Sequence, residues 1–142
     1  MSRGITTIVI HCADTPAQMD IGADEIRRWH TDPPPRGRGW RDIGYHYVIR
    51  RDGTLEFGRD ESVAGAHVAG HNAHSIGICL VGGKDGPDYT EAQWLCLASL
   101  VRDISSRYPG ARVVGHRDLD PGKACPQFDV APWWATAQAQ PA

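Results

Sequence analysis

The chain lacks any apolar run near the roughly 20 residues that a membrane-crossing helix needs. It also lacks a block of like charge, a CxxC pair and a dense cysteine framework. Each absence removes a class of function. Without a spanning segment, a membrane is not expected as a partner. Fifteen Lys and Arg against 17 Asp and Glu give a net charge of −2. That balance leaves no basic stripe for a nucleic-acid backbone. The four cysteines, Cys12, Cys79, Cys96 and Cys125, read as reduced thiols rather than a disulfide scaffold. Met1-Ser2-Arg3-Gly4 passes directly into a strand-like run with no signal-like apolar segment, so synthesis in the cytoplasm without a signal peptide is expected. A length of 142 residues suits one domain, residues 1–142, with a core over about 5–134 and a small, polar, flexible tail over 135–142.

The local patterns alternate strand and helix. Ile5-Thr6-Thr7-Ile8-Val9-Ile10 is β-branched enough for a central strand. A helix is expected over 22–31, with Asp24 and Glu25 at its positive end and Ile26 sharing a face with Trp29 or His30. Asp32-Pro33-Pro34-Pro35-Arg36-Gly37-Arg38-Gly39 can be neither helix nor central strand, and predicts a flexible or extended surface loop beside Trp40. Tyr45 to Arg50 reads as a strand turning through Asp52-Gly53 into Thr54-Leu55-Glu56-Phe57. A further buried strand follows over Ser75 to Val81. Thr90-Glu91-Ala92-Gln93 is a capping box opening a long helix, which Pro109-Gly110 stops, and Arg112 to Gly115 forms a last short strand. The fold class is therefore α/β: a single domain with a mixed central sheet flanked by helices.

The chemistry concentrates at the ends of these elements. His116 and Cys125 flank the turn residues Asp120, Pro121 and Gly122, which allow the loop to fold back and bring imidazole and thiol to one zinc ion. His11, at the end of the first strand, is the best third ligand. Two histidines and one cysteine leave a fourth position open, which marks catalytic rather than structural zinc. The alternative is that these are separate surface or buried residues. Tyr45 and Lys123 could stabilise the negative charge that develops when water attacks a carbonyl, or be a strand aromatic and a solvated turn residue. His67, His71 and His74 could form a second metal site, but no carboxylate or cysteine completes it. The small residues around them suit a polar ligand groove with His67 and Asn72 as hydrogen-bond partners. His30, His46 and His71 read as packing or surface residues. Cys12 should face away from His11 by strand alternation.

Seven segments occur in order: Ile10-His11-Cys12-Ala13-Asp14-Thr15, Ile26-Arg27-Arg28-Trp29-His30, Asp42-Ile43-Gly44-Tyr45-His46-Tyr47, Arg51-Asp52-Gly53-Thr54, Asn72-Ala73-His74-Ser75-Ile76-Gly77-Ile78, Gly115-His116 and Lys123-Ala124-Cys125-Pro126. Over about residues 5–134 they resemble the type 2 N-acetylmuramoyl-L-alanine amidases, in particular the small phage lysozymes of that group, which share their fold with animal peptidoglycan recognition proteins. The resemblance implies one zinc ion on His11, His116 and Cys125, with Tyr45 and Lys123 assisting catalysis. Trp40, His67 and Asn72 would line the substrate groove. The implied substrate is the amide between the lactyl group of N-acetylmuramic acid and L-alanine in bacterial peptidoglycan. A phage or prophage endolysin acting on the cell wall in the periplasm, as a monomer, is the expected role.

Two departures stand out. Residues 32–38 insert prolines where the phage enzymes are commonly shorter. Some relatives also bind a phage RNA polymerase through an N-terminal extension that this chain largely lacks, so polymerase binding is not carried over. A binding module without catalysis is the main rival, since recognition proteins of this fold typically lose the cysteine ligand, and Cys125 is present.

Overall fold

A computed structural model describes residues 3–140. Five strands form one mixed sheet in the order β3-β2-β4-β1-β5: β1 (Thr7–Cys12), β2 (Tyr47–Ile49), β3 (Leu55–Phe57), β4 (Ser75–Leu80) and β5 (Arg112–Gly115). β1 runs parallel to both β4 and β5, β2 runs parallel to β4, and only the edge strand β3 is antiparallel. The α/β expectation holds. Both β1 and β4 are buried along their full length, as parallel strands covered on both faces must be.

Helices α1 (Ala23–Thr31), α2 (Glu91–Arg107), α3 (His116–Leu119) and α4 (Val130–Ala139) complete the fold. Ile8, Ile10, Ile76, Ile78 and Leu80 of the sheet pack on Leu97, Val101 and Ile104 of α2 and on Val130 of α4. The opposite face is thinner. Val48, Cys79 and Val81 meet Ala23 and Ile26 of α1 together with Ile43. Val9 and Val114 are covered by Val68 from a loop. The functional groove lies over this second face.

The capping box is present: Thr90 Oγ1 accepts from the Gln93 amide, and Gln93 Oε1 accepts from the Thr90 amide. Gln93 is fully buried and its Nε2 also donates to the carbonyls of Ile49 and Val81, so one side chain both starts α2 and pins it to the ends of β2 and β4.

Three expectations are corrected. The strand read over Tyr45 to Arg50 is only Tyr47–Ile49, because Tyr45 and His46 turn their carbonyls to the amides of Arg59 and Gly58 in a loop. The segment 32–39 is neither extended nor loose: the amides of Arg38, Gly39 and Trp40 donate to the carbonyls of Trp29, Asp32 and His30, folding the proline turn back onto α1. The tail expected to fray from 135 is helical to Ala139, and only 141–142 of it lie outside the described residues. No described helix is long and apolar enough to cross a membrane.

Candidate active site

Strand alternation places Val9 and His11 on the α1 side of the sheet and Ile8, Ile10 and Cys12 on the α2 side. His11 ends up 1% exposed near the carboxyl end of β1. β5 delivers His116, which opens α3 while the Asp118 carboxylate caps the Gly115 amide at 2.8 Å. The chain then reverses. The Asp120 amide donates to the His116 carbonyl at 3.0 Å, the Lys123 amide to the Asp120 carbonyl at 3.0 Å, and the Arg117 amide to the Cys125 carbonyl at 2.8 Å. The turn at Asp120-Pro121-Gly122 thus returns Cys125 to the side of His116, as the residue types predict.

His11 Nδ1 stands 3.1 Å from His116 Nδ1, and His11 Nε2 stands 2.8 Å from His67 Nδ1. Cys125 Sγ lies 2.6 Å from Cys12 Sγ and 3.6 Å from the Cys12 carbonyl oxygen. Burial holds the His11 imidazole well below its ordinary pKa, and the neighbouring His67 and His116 push the same way. The hydrogen bond from the Cys12 thiol lowers Cys125, with a further contribution from His116, and raises Cys12. The two sulfurs share one site, and the pull on Cys125 is toward the ionised form.

Among the described residues no three His, Cys, Asp or Glu side chains stand as a ready-made metal cage. The donor chemistry nevertheless fits zinc. A neutral buried imidazole, a second imidazole facing it, and a cysteine sulfur beside them are the ligand types that zinc takes. Bonds of 2.0–2.1 Å at tetrahedral angles put two such nitrogens roughly 3.3 Å apart, close to the 3.1 Å between His11 and His116. Cys125 is the one donor of the three that faces another partner, Cys12.

Two cavities of about 370 Å³ and about 340 Å³ meet over this point, sharing Arg38, Tyr45, His116 and Lys123. The Tyr45 ring centroid is 5.1 Å from that of His11. Burial raises the Tyr45 phenol well above its ordinary value, and the thiols of Cys79, Cys125 and Cys12 add to this, so it remains an O–H donor. Lys123 is exposed at the groove rim on the turn that carries Cys125.

Trp40, His67 and Asn72 all line the first of these cavities. Their hydrogen-bonding capacity is spent differently than the sequence implies. Asn72 Oδ1 accepts from the amides of His67 and Val68, and His67 binds His11 through Nδ1 and Ser75 Oγ through Nε2. Both shape the wall of the groove while their acceptors face the protein. A cavity of about 540 Å³ continues past Trp40 toward Arg41, Arg59 and Asp60.

Sequence reasoning missed three participants. Cys12 holds the Cys125 thiol. His30 accepts from the Gly44 amide at 2.9 Å, packs at a tilt against Trp40 and Tyr45, and is pushed down to about 4 by burial and by Arg38 and Arg59. Its position four residues after Ile26 on the buried face of α1 was the available signal. Arg38 lies with its guanidinium 5.0 Å over the Trp40 ring, a contact no local pattern announces. His46 is structural, as expected, its Nδ1 accepting from the Gly77 amide at 3.0 Å.

The model of one protein family, described as N-acetylmuramoyl-L-alanine amidase, matches residues 1–128. The chain belongs to that family. It is 47% identical over 132 residues to the endolysin of Klebsiella phage KP32, covering 89% of this chain and 83% of that one. It is 44% identical over 132 residues to the endolysin of Escherichia phage T7, with the same coverages of 89% and 83%. Among solved structures, the Ph2119 endolysin from a Thermus scotoductus bacteriophage superposes with a TM-score of 0.82 at 27% identity, covering 96% of this chain and 86% of that one. The amidase fold explains why the groove sits at the carboxyl ends of parallel strands, where open α/β sheets place their ligands.

Proposed function

We propose that this member of the amidase family is a zinc-dependent N-acetylmuramoyl-L-alanine amidase of the endolysin type. It hydrolyses the amide between the lactyl group of N-acetylmuramic acid and L-alanine in bacterial peptidoglycan. The observation that carries this reading is the facing pair His11 Nδ1 and His116 Nδ1 at 3.1 Å, with the Cys125 sulfur, a protonated phenol and a lysine around one groove. His11, His116 and Cys125 would hold one zinc ion.

Zinc bound there supplies Lewis acidity, polarising the scissile carbonyl and bringing the pKa of water to about 7. The rest is the work of side chains. Tyr45, kept protonated by burial, donates its O–H to the carbonyl oxygen as that atom gains charge. Lys123 approaches the same oxygen from the rim as a cation. Trp40, with Arg38 over its face, offers a flat apolar wall on which a sugar ring or peptide can lie, and His67 and Asn72 line the same cavity. Kinship with proteins named endolysins supports a lytic role on the cell wall after release from the cytoplasm.

Zinc content and release of L-alanine amino termini from purified peptidoglycan, measured on wild type and Cys125→Ser, test this directly. Loss of both metal and amine release in the variant is expected. A wild type that binds peptidoglycan without releasing amine would replace the amidase with a recognition module.

A further inference from the structure

His67 is doubly engaged within the protein, and its surroundings fix it there. Its Nδ1 lies 2.8 Å from His11 Nε2 and its Nε2 lies 3.2 Å from Ser75 Oγ, with Ser75 fully buried at the start of β4. The ring occupies a slot left open by Gly77, where any Cβ would fall 2.8 Å from His67 Cγ and Nδ1. Asn72 Oδ1 clamps the backbone on either side of the ring by accepting from the amides of His67 and Val68, each at 2.9 Å. The result is a continuous chain from Ser75 Oγ through His67 and His11 to His116 Nδ1, 3.1 Å beyond His11 Nδ1.

We propose that His67 is the positioning residue of the site: its Nδ1 accepts the Nε2–H of His11, selecting the tautomer whose Nδ1 lone pair faces His116. This rests on the reading of His11 as a zinc ligand. The proton count permits two polarities. A neutral imidazole has one N–H and one lone pair. If His11 gives its Nδ1 lone pair to an ion, its proton sits on Nε2 and His67 Nδ1 must accept; His67 Nε2–H then donates to Ser75 Oγ. In the opposite polarity Ser75 donates to His67, His67 donates to His11, and His11 Nδ1 carries a proton that blocks the ion. Metal binding selects the first. The role is that of the carbonyl or carboxylate that orients a ligating histidine from behind, filled here by a third imidazole.

The test is the zinc dissociation constant, measured by competition with a chromophoric chelator near neutral pH on wild type, His67→Ala and His67→Gln. Loss of such an orienting partner weakens metal binding roughly 10- to 100-fold. His67→Ala should show that loss, and His67→Gln, whose side-chain oxygen can still accept from His11, should recover most of it. If His67→Ala folds and binds zinc within about threefold of wild type, the role is overturned. The imidazole nitrogen NMR spectrum of zinc-loaded wild type supplies a check that needs no variant: the proton of His11 is expected on Nε2, and a proton on His67 Nδ1 would refute the assignment. A wild type that takes up no zinc would overturn the ligand reading itself, an outcome distinct from a wild type that binds zinc without help from His67.

Discussion

Gly77→Ala perturbs the site from beneath without touching a proposed ligand. The added methyl would meet His67 Cγ and Nδ1 at 2.8 Å and Cδ2 at 2.9 Å, against an ordinary carbon contact of roughly 3.5 Å or more. β4 cannot retreat to make room. The Gly77 amide donates to His46 Nδ1 and its carbonyl accepts from the His46 amide, both at 3.0 Å, while Val9 of β1 pairs alongside. The ring must therefore move by roughly 0.6 Å or more, and the 2.8 Å bond to His11 moves with it. Overpacking of this kind costs about 1–3 kcal/mol. For a domain of this size that lowers the thermal midpoint by roughly 3 to 10 °C. Circular dichroism melts of the metal-free protein measure the cost, and chelator competition should show zinc held at least 10-fold more weakly. The decisive comparison is Gly77→Ala in the His67→Ala background, where the methyl enters vacated space. The two substitutions should then be strongly non-additive, by about 1 kcal/mol or more. Additive losses would mean that Gly77 matters for the strand alone, and the link from β4 to His67 to His11 would fail.

Tyr45→Phe and Lys123→Ala should each lower kcat for peptidoglycan amide hydrolysis by about 10²-fold, the scale for removing one donor to a developing oxyanion. Zinc content should stay at the wild-type level, and its loss would make either residue structural. Away from the groove, the Arg107 guanidinium, 2.7 Å from Glu61 Oε1, leads in holding the Glu61 carboxyl down to about 2 against an ordinary 4.5. The folded value lies below the unfolded one, so this stabilisation is complete above pH 4.5 and is lost as pH falls toward 2. Because Arg107 is 41% exposed, screening reduces the contribution to ~1–2 kcal/mol. Urea unfolding of wild type and Glu61→Gln across that pH window should show a steeper acid loss in wild type, and parallel curves would refute the assignment.

Elements specified by neighbours in the chain were legible in the sequence. The β-branched run of β1, the Thr90 to Gln93 capping box and the turn at Asp120-Pro121-Gly122 each state their geometry within a few residues, and each appears in the structure. Elements that depend on distant partners were not. α4 carries a proline in its first turn and two tryptophans, with no polar face to announce a helix. It exists because Val130, Trp133 and Trp134 pack against the core built by β1, β4 and α2. Its one local signal was Asp129 before Val130 with Pro132 in the first turn, where a missing amide proton costs nothing. The proline segment likewise looked free because prolines forbid helix and sheet. What folds it is a set of backbone bonds to the end of α1, which composition does not encode.

The end of β1 shows how a simple periodicity supports the site from two sides. Alternation correctly sends His11 and Cys12 to opposite faces, which made Cys12 look irrelevant to the groove. Both faces are nevertheless reachable from the strand's open end, and the returning loop places Cys125 there. On one face His11 is kept neutral by burial and backed by His67. On the other, the Cys12 sulfur lies 2.6 Å from that of Cys125 and favours its ionised form. A metal ligand set needs its histidines neutral and its cysteine ionised at the same pH. In the proposed zinc site, the first of two consecutive strand residues would be a ligand and the second lies 2.6 Å from the sulfur that would be another.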